Sequence, residues 1–520
     1  MAAASSEYIA SPYGKYKVVT DRFGRRYRVG EDVKDITKKI LGYPVGRRIL
    51  LLGAWMSFFF GSVLEYGWGV ASAVLEAHYG WGAVEAFFNY TAYVLFQATI
   101  CAWIFQRMRE RGLLDLRRTL IFGGALLMVS YYLLANSFDF WISYAGYAAI
   151  GGFGAGFGYA TGGAVVNKWF PEKRGWRTGL ANGAWAYGAV PFIVWYLYAM
   201  PNPQNVAPSF FQLIMYLTGI IIGIGLIIAG LLVADAPKDW WPAHIDPIAA
   251  REAKLKSREL KVNPPAVAQF STKEFLATRQ GKAQMASFTL ALAASLFNVS
   301  LYAPFGAAMG FTGVAFAVGA AGFALTDGLG RPTQGFISSI IGRRKAVTIF
   351  YAFMGIGGIG VLYSGLAHLE ILWAVLAVAT GAVSGACFVF DWLIIADYFG
   401  ENNIGRNWST PYTLKVVGGA FGGIGATIML TFLSRGGWSA VFGVTSVTFT
   451  SFAWSVVFWI AAAFSLIAAG LVFFVEKQPT FEDYVKARQK LGLPIPSAAK
   501  GVVQAQADKV ESAGQSGGSE

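Results

Sequence analysis

Charge is scarce in this chain. Only 14% of its 520 residues are Asp, Glu, Lys or Arg, against roughly 25% in soluble globular proteins. Cysteine is scarcer still. Cys101 and Cys387 are the only two, each inside an apolar run, which argues against a disulfide framework. The three histidines, His78, His244 and His368, are expected in loops and do not cluster with the cysteines. A metal or haem centre is therefore not expected, and neither is any other cofactor. No Walker-type phosphate loop occurs, which argues against an ATP-driven pump. No nucleophile–base pair stands out, so an enzyme is not expected.

What the chain has is apolar sequence. Hydrophobic residues make up 55% of it, and the mean hydropathy is +0.48. Runs of about 20 apolar residues recur, each able to cross a hydrocarbon core about 30 Å thick. Twelve are expected, spans one to twelve, near 50–74, 84–106, 119–136, 140–166, 178–199, 210–233, 284–305, 312–340, 346–366, 370–395, 406–433 and 449–475. The glycines of "GGFGAGFG" at 151–158 have nucleotide-loop spacing but lie in span four. There, small residues serve close helix packing. The fold class is an all-α membrane protein of twelve transmembrane helices in two six-helix bundles.

Lysine and arginine test that count. All but three of the 42 lie in the N-terminal tail, in every second loop or beyond Lys477; the exceptions are Arg331, Lys415 and Arg435. Positive charge stays on the cytoplasmic side, so both termini are expected there and the number of spans is even. The net charge of +13 then fits basic loops against anionic lipid rather than a nucleic-acid surface. The first apolar run follows a 48-residue polar tail containing Glu31, Asp32 and Asp35, and is not read as a cleavable signal peptide.

The expected organisation is a cytoplasmic tail (1–47), a six-helix bundle (48–234), a central cytoplasmic loop (235–283), a second bundle (284–476) and a partly disordered tail (477–520). Within the loop, "REAKLKSRELKV" suggests a short surface helix. The halves echo each other. "KWFPEKRGWRTG" follows span four and "DYFGENNIGRNWST" follows span ten, each an aromatic exit, a polar turn, a glycine and an arginine. Paired halves suggest a secondary transporter with its site between them.

Five charges fall well inside the spans: Glu65 in span one, Asp327 and Arg331 in span eight, Asp391 in span ten and Lys415 in span eleven. Each costs at least about 2.5 kcal/mol at a helix centre, so each should face a partner or a wet cavity. Asp327 and Arg331 are four residues apart on one helical face and can pair. One reading is a set of structural ion pairs. The other is an anion site, with one anion neutralising two cations from neighbouring spans. Asp397, near the membrane edge, reads as structural.

"GGFGAGFGYATGGAVVNKWFPEKRGWRTGLANG", "LTDGLGRPTQGFISSIIGRR" and "DYFGENNIGRNWSTPYTLKVVGGAFGG" together resemble the oxalate:formate antiporter family of the major facilitator superfamily. The resemblance covers residues 48–476 and excludes the tails. It implies a bacterial cytoplasmic-membrane protein that works as a monomer by alternating access, with a small carboxylate and protons as its partners. It also implies that Arg331 and Lys415 bind the substrate carboxylates and that Tyr66, Trp68, Tyr159, Trp392 and Tyr412 line the cavity. The chain departs from the family at three places. Glu65, Asp327 and Asp391 stand where amides or non-acidic residues are common. A protonatable acid beside an anion site is what proton–monocarboxylate symport needs, so antiport and symport both stay open. Export of cationic compounds through the three acids, or a sensor built on a transporter fold, are the rival readings.

Overall fold

The computed structural model describes residues 8–495 apart from 12–13, 21–25, 31–35, 41–42, 112, 138, 171–173, 237–239, 243–244, 250–261, 265, 401–402 and 436–447. Apolar runs fold as helices because backbone in hydrocarbon has no water to bond and must bond itself. Nine helices among the described residues are long and apolar enough to cross a membrane. The segments expected at 84–106, 140–166 and 178–199 are helical too, but segmented. The first two contain π-helical turns, Leu95–Ile100 and Tyr144–Gly151. The third is broken between Arg174–Tyr187 and Val190–Ala199.

Helices pack mainly within each half of the chain. Leu116–Ala135 lies along Pro208–Leu232, and Arg47–Gly61 against Gly152–Trp169. In the second half Gly313–Ile341 lies along Glu370–Ser384, and Arg343–Leu366 along Ser451–Phe474. The main crossing between halves joins Arg174–Tyr187 to Gly313–Ile341. Glycine makes it possible. A Cβ on Gly183 would meet the Gly328 carbonyl, one on Gly328 would meet the Gly183 carbonyl, and Gly179 faces Pro332. Pro332 has no N–H for the Gly328 carbonyl four residues back, so this backbone is open to its neighbour at the point of closest approach.

Outside the spans the structure differs from expectation. The N-terminal tail carries strands: β1 (Tyr8–Ser11), β2 (Gly14–Thr20) and β3 (Arg26–Gly30) pair antiparallel, and β4 (Ile36–Ile40) pairs with β5 (Tyr43–Gly46). β3 also pairs in parallel with β6 (Trp240–Trp241) of the central loop. Trp240 packs on Trp169 at 4.8 Å, and the Arg47 guanidinium lies over Trp240 and Phe170. The short, basic strands lack the apolar alternation that reads as a sheet. Beyond span twelve, Phe481–Lys490 is a helix with an N-cap at Thr480, joined to Thr272–Ala277 by Arg488 and Glu274. His78 lies in the last turn of a helix, Trp68–Tyr79, rather than in a loop. The stretch "REAKLKSRELKV" and His244 lie outside the described residues. The turns "IIGRR" and "DYFGE" both end their helices on a left-handed glycine, Gly342 (φ 98°) and Gly400 (φ 94°), a geometry that disfavours any side chain.

Candidate functional site

Span one is not one continuous helix. Ser62 and Gly67 separate Arg47–Gly61, Val63–Tyr66 and Trp68–Tyr79. The short middle turn carries Glu65 and Tyr66, and these neighbours serve two different cations. Lys415 Nζ donates to Glu65 Oε2 at 2.7 Å. Arg331 Nη2 donates to the Tyr66 hydroxyl at 2.8 Å, and that hydroxyl donates to Asp327 Oδ2 at 2.9 Å. All five residues are buried.

Arg331 is saturated. Its Nε and Nη2 donate to Asp327 Oδ1 at 3.1 and 3.0 Å. Its Nη1 donates to the Asn182 carbonyl at 2.9 Å and to Asn182 Oδ1 at 2.6 Å. With Tyr66, that uses all five guanidinium N–H groups. The pair predicted by the four-residue spacing therefore forms, and the glycine crossing is what brings Asn182 to it. Lys415 is less committed. Besides Glu65 it donates to Gln97 Oε1 at 3.1 Å, which leaves its third N–H without a partner among the described residues. Glu65 is incomplete as well. Its Oε2 also accepts from Trp185 Nε1 at 3.1 Å, while its buried Oε1 has no partner among the described residues.

The two cations share one ring. Phe388 lies 4.8 Å from the Arg331 guanidinium carbon and 5.5 Å from Lys415 Nζ, centroid to atom. The aromatic face is electron-rich and attracts both. Around this plate the polar side chains make a circuit. Gln97 Nε2 donates to the Tyr412 hydroxyl at 3.3 Å, Tyr412 stacks on Tyr159 at 5.3 Å, and Asn182 Nδ2 donates to the Tyr159 hydroxyl at 3.0 Å. Tyr66, Tyr159 and Tyr412 thus meet the charges. Trp392 does not reach them; it stacks on Trp408 at 4.1 Å, and Trp408 stacks in turn on Tyr412 at 4.4 Å. Trp68 turns into the first half and stacks on Tyr147 at 4.2 Å.

The halves touch on both sides of this cluster. Gly69 lies against the Ser300 carbonyl, and Thr91 donates to the Gly419 carbonyl at 2.9 Å. Further along spans two and eleven, Thr99 donates to the Thr413 carbonyl at 3.2 Å, and Gly179 of span five lies against Pro332 of span eight. A cavity of about 20 Å³ borders Tyr66, Asn298, Tyr302 and Phe323. It has room for about one water.

Asp391 is not brought to the cluster. Gln284 Nε2 donates to its Oδ1 at 3.3 Å, and its Oδ2 has no partner among the described residues. The charge it faces is Glu476, just past span twelve, whose Oε2 accepts from Ser287 at 2.9 Å. Burial raises the Glu476 carboxyl to about 8. Asp397 pairs with Arg343 at 2.9 Å, as a membrane-edge acid is expected to.

Sequence reasoning missed Gln97, Asn182, Trp185 and Phe388. The two amides were detectable as polar residues in apolar spans two and five. Phe388 gave no signal, being one phenylalanine among 41.

Comparison with known proteins agrees with this architecture. Residues 50–423 match the family model described as Major Facilitator Superfamily. The chain is 26% identical to the oxalate:formate antiporter of Oxalobacter formigenes over 65% of this chain and 74% of that one. It is 22% identical to an uncharacterized MFS-type transporter, YhjX, of Escherichia coli (strain K12), over 71% of this chain and 85% of that one. Among solved structures it is similar to a D-xylose–proton symporter, with a TM-score of 0.58 and 13% identity over 83% of this chain and 97% of that one. A bacterial homolog of the human lysosomal transporter Spinster gives a TM-score of 0.53 and 14% identity over 85% and 98%.

Proposed function

Because the chain belongs to the major facilitator superfamily, and so is a multi-pass membrane transporter rather than an enzyme, we propose that its cargo is a small carboxylate bound at Arg331 and Lys415. One observation carries this reading: two buried cations from separate spans lie against the single ring of Phe388, at the junction of the two halves. Cations in so apolar a wall favour anions, and the carboxylates that partner them here support a carboxylate cargo. Rocking of the halves about this junction gives alternating access. The similarity to an oxalate:formate antiporter supports the same substrate class. Export of cationic compounds has less support, because Glu65 and Asp327 already have protein cations as partners.

The test is uptake of labelled formate, acetate, lactate and oxalate into proteoliposomes containing the purified protein. Saturable uptake of at least one, lost in Arg331→Gln and Lys415→Gln proteins that remain folded in the membrane, is the expected result. Near wild-type uptake in both variants would remove the anion site.

A further inference from the structure

The two ion pairs at the site differ in a way that bears on coupling. Asp327 is complete: Oδ1 takes two N–H groups of Arg331, and Oδ2 takes the Tyr66 hydroxyl. Arg331 gives two N–H groups to Asp327 and the other three to Asn182 and Tyr66 of the first half. Asp327 and Arg331 belong to one helix, four positions apart, so their pair moves as a unit whatever the halves do. Lys415 and Glu65 come from opposite halves, 350 positions apart. Each keeps something in reserve: one ammonium N–H, and one buried carboxylate oxygen, Oε1. Rocking of the halves must pull this pair apart, whereas it leaves Asp327–Arg331 intact.

We infer that Glu65 is an internal stand-in for cargo, and that the protein carries monocarboxylates together with one proton in an electroneutral symport. The inference rests on the carboxylate reading above and names its substrate subclass and its coupling. When the halves part, a cargo carboxylate takes the place of Glu65 on Lys415 Nζ. Glu65 then has no cation. Its carboxylate lies in a wall of Trp185 and buried tyrosines, where an uncompensated charge is unfavourable, and a proton from solution removes it. The balance is simple. Before binding, two cations face two carboxylates. Afterwards two cations face Asp327 and the cargo anion, while Glu65 is neutral. A dicarboxylate adds a second negative charge that no cation is left to balance, because Arg331 stays paired with Asp327.

The ionisable groups facing Glu65 are Tyr66 from span one, Lys415 and Tyr412 from span eleven, Tyr90 from span two, and Tyr147 and Tyr159 from span four, with Arg331–Asp327 beyond. Among the described residues, Lys415 is the only cation in direct contact with it. Release on the far side reverses the steps. Cargo and proton leave, Glu65 returns to Lys415, and the unloaded carrier closes with its charges matched. Return cargo is therefore not required.

The experiment uses wild-type protein in proteoliposomes loaded with a pH indicator and no internal carboxylate. Labelled formate, acetate, lactate and oxalate are offered with the membrane potential clamped at zero, then at negative values. The expected result is net monocarboxylate uptake without internal counter-substrate, one proton entering per anion, with a rate that changes less than twofold with potential. An inward proton gradient drives accumulation, and Glu65→Gln loses that accumulation and the accompanying proton entry. Carboxylate movement only in exchange for internal carboxylate, with no proton entry, overturns the symport while leaving the carboxylate site standing. Rapid uptake of oxalate but not of monocarboxylates also overturns it. Movement of no carboxylate under any condition overturns both readings.

Discussion

Two pairs among the buried acids of this molecule are handled differently. At the junction of the halves, Glu65 and Asp327 each face a cation at 2.7 and 3.0 Å. Inside the second half, Asp391 and Glu476 face each other, with Gln284 and Ser287 as their hydrogen-bond donors and no cation among their described partners. The first two are neutralised by ion pairing, Glu65 across the junction of the halves and Asp327 within its own helix. In the second pair, burial raises the Glu476 carboxyl and so favours its protonated form. These four carboxylates thus divide into two at the junction with cations as partners and two inside the second half with none among the described residues.

The strongest way to break this division is to remove a cation. Lys415→Gln and Arg331→Gln leave Glu65 or Asp327 without its partner. Loss of one member of a buried pair costs about 2–5 kcal/mol, so carboxylate uptake should fall at least about 30-fold while the protein still reaches the membrane. Radiolabel uptake normalised to folded protein by size-exclusion chromatography measures this. The double variant Glu65→Gln/Lys415→Gln, which removes the pair as a whole, should fold better than Lys415→Gln alone and remain inactive.

Next comes the acid in the second half. Asp391→Asn should leave proton-driven uptake within about threefold of wild type, because Asp391 neither touches the clamp nor sits where the halves part. A complete loss of pH-driven accumulation in Asp391→Asn would move proton coupling to the second half and overturn the comparison.

A stability measurement sharpens it further. Glu476 is raised from its ordinary value of 4.5 to about 8. Between those values the folded protein holds a proton that the unfolded chain has released, so stability falls as pH rises through this window and levels off above it. The slope is about 1.4 kcal/mol per unit at its steepest. Thermal unfolding in detergent from pH 5 to pH 9 reports it, and Glu476→Gln should flatten the curve. The smallest effect is expected at the membrane edge. Asp397 is one-quarter exposed beside Arg343, and Asp397→Asn should change stability by no more than about 1 kcal/mol in the same assay.

How far the sequence announced all this depends on range. Hydropathy located the helical segments because span length is set by bilayer thickness, a local property. Spacing located the Asp327–Arg331 pair for the same reason. Glu65 and Lys415 were visible as isolated charges, but their pairing joins residues 350 positions apart and no local pattern encodes it. Trp68 shows the limit most clearly. It follows Tyr66 by two residues, about 200° around the helix, and packs into the first half against Tyr147, away from the site its neighbour serves. The tail strands went unread because pairing with Trp240–Trp241 supplies part of their sheet from a segment some 200 residues away. Asn182 and Gln97 were legible as polar residues in apolar spans, but their partners were not.

Gly385 separates the two pieces of span ten, and the Asp327–Arg331 pair rests against it. A Cβ there would overlap Asp327 Oδ1 and crowd Arg331 Nε. A genetic screen for transport-dead alleles should therefore return Gly385→Ala in the same phenotypic class as Arg331→Gln. Replacing one hydrogen by a methyl group would be scored as a charge mutation, although the formal charge of the protein is untouched.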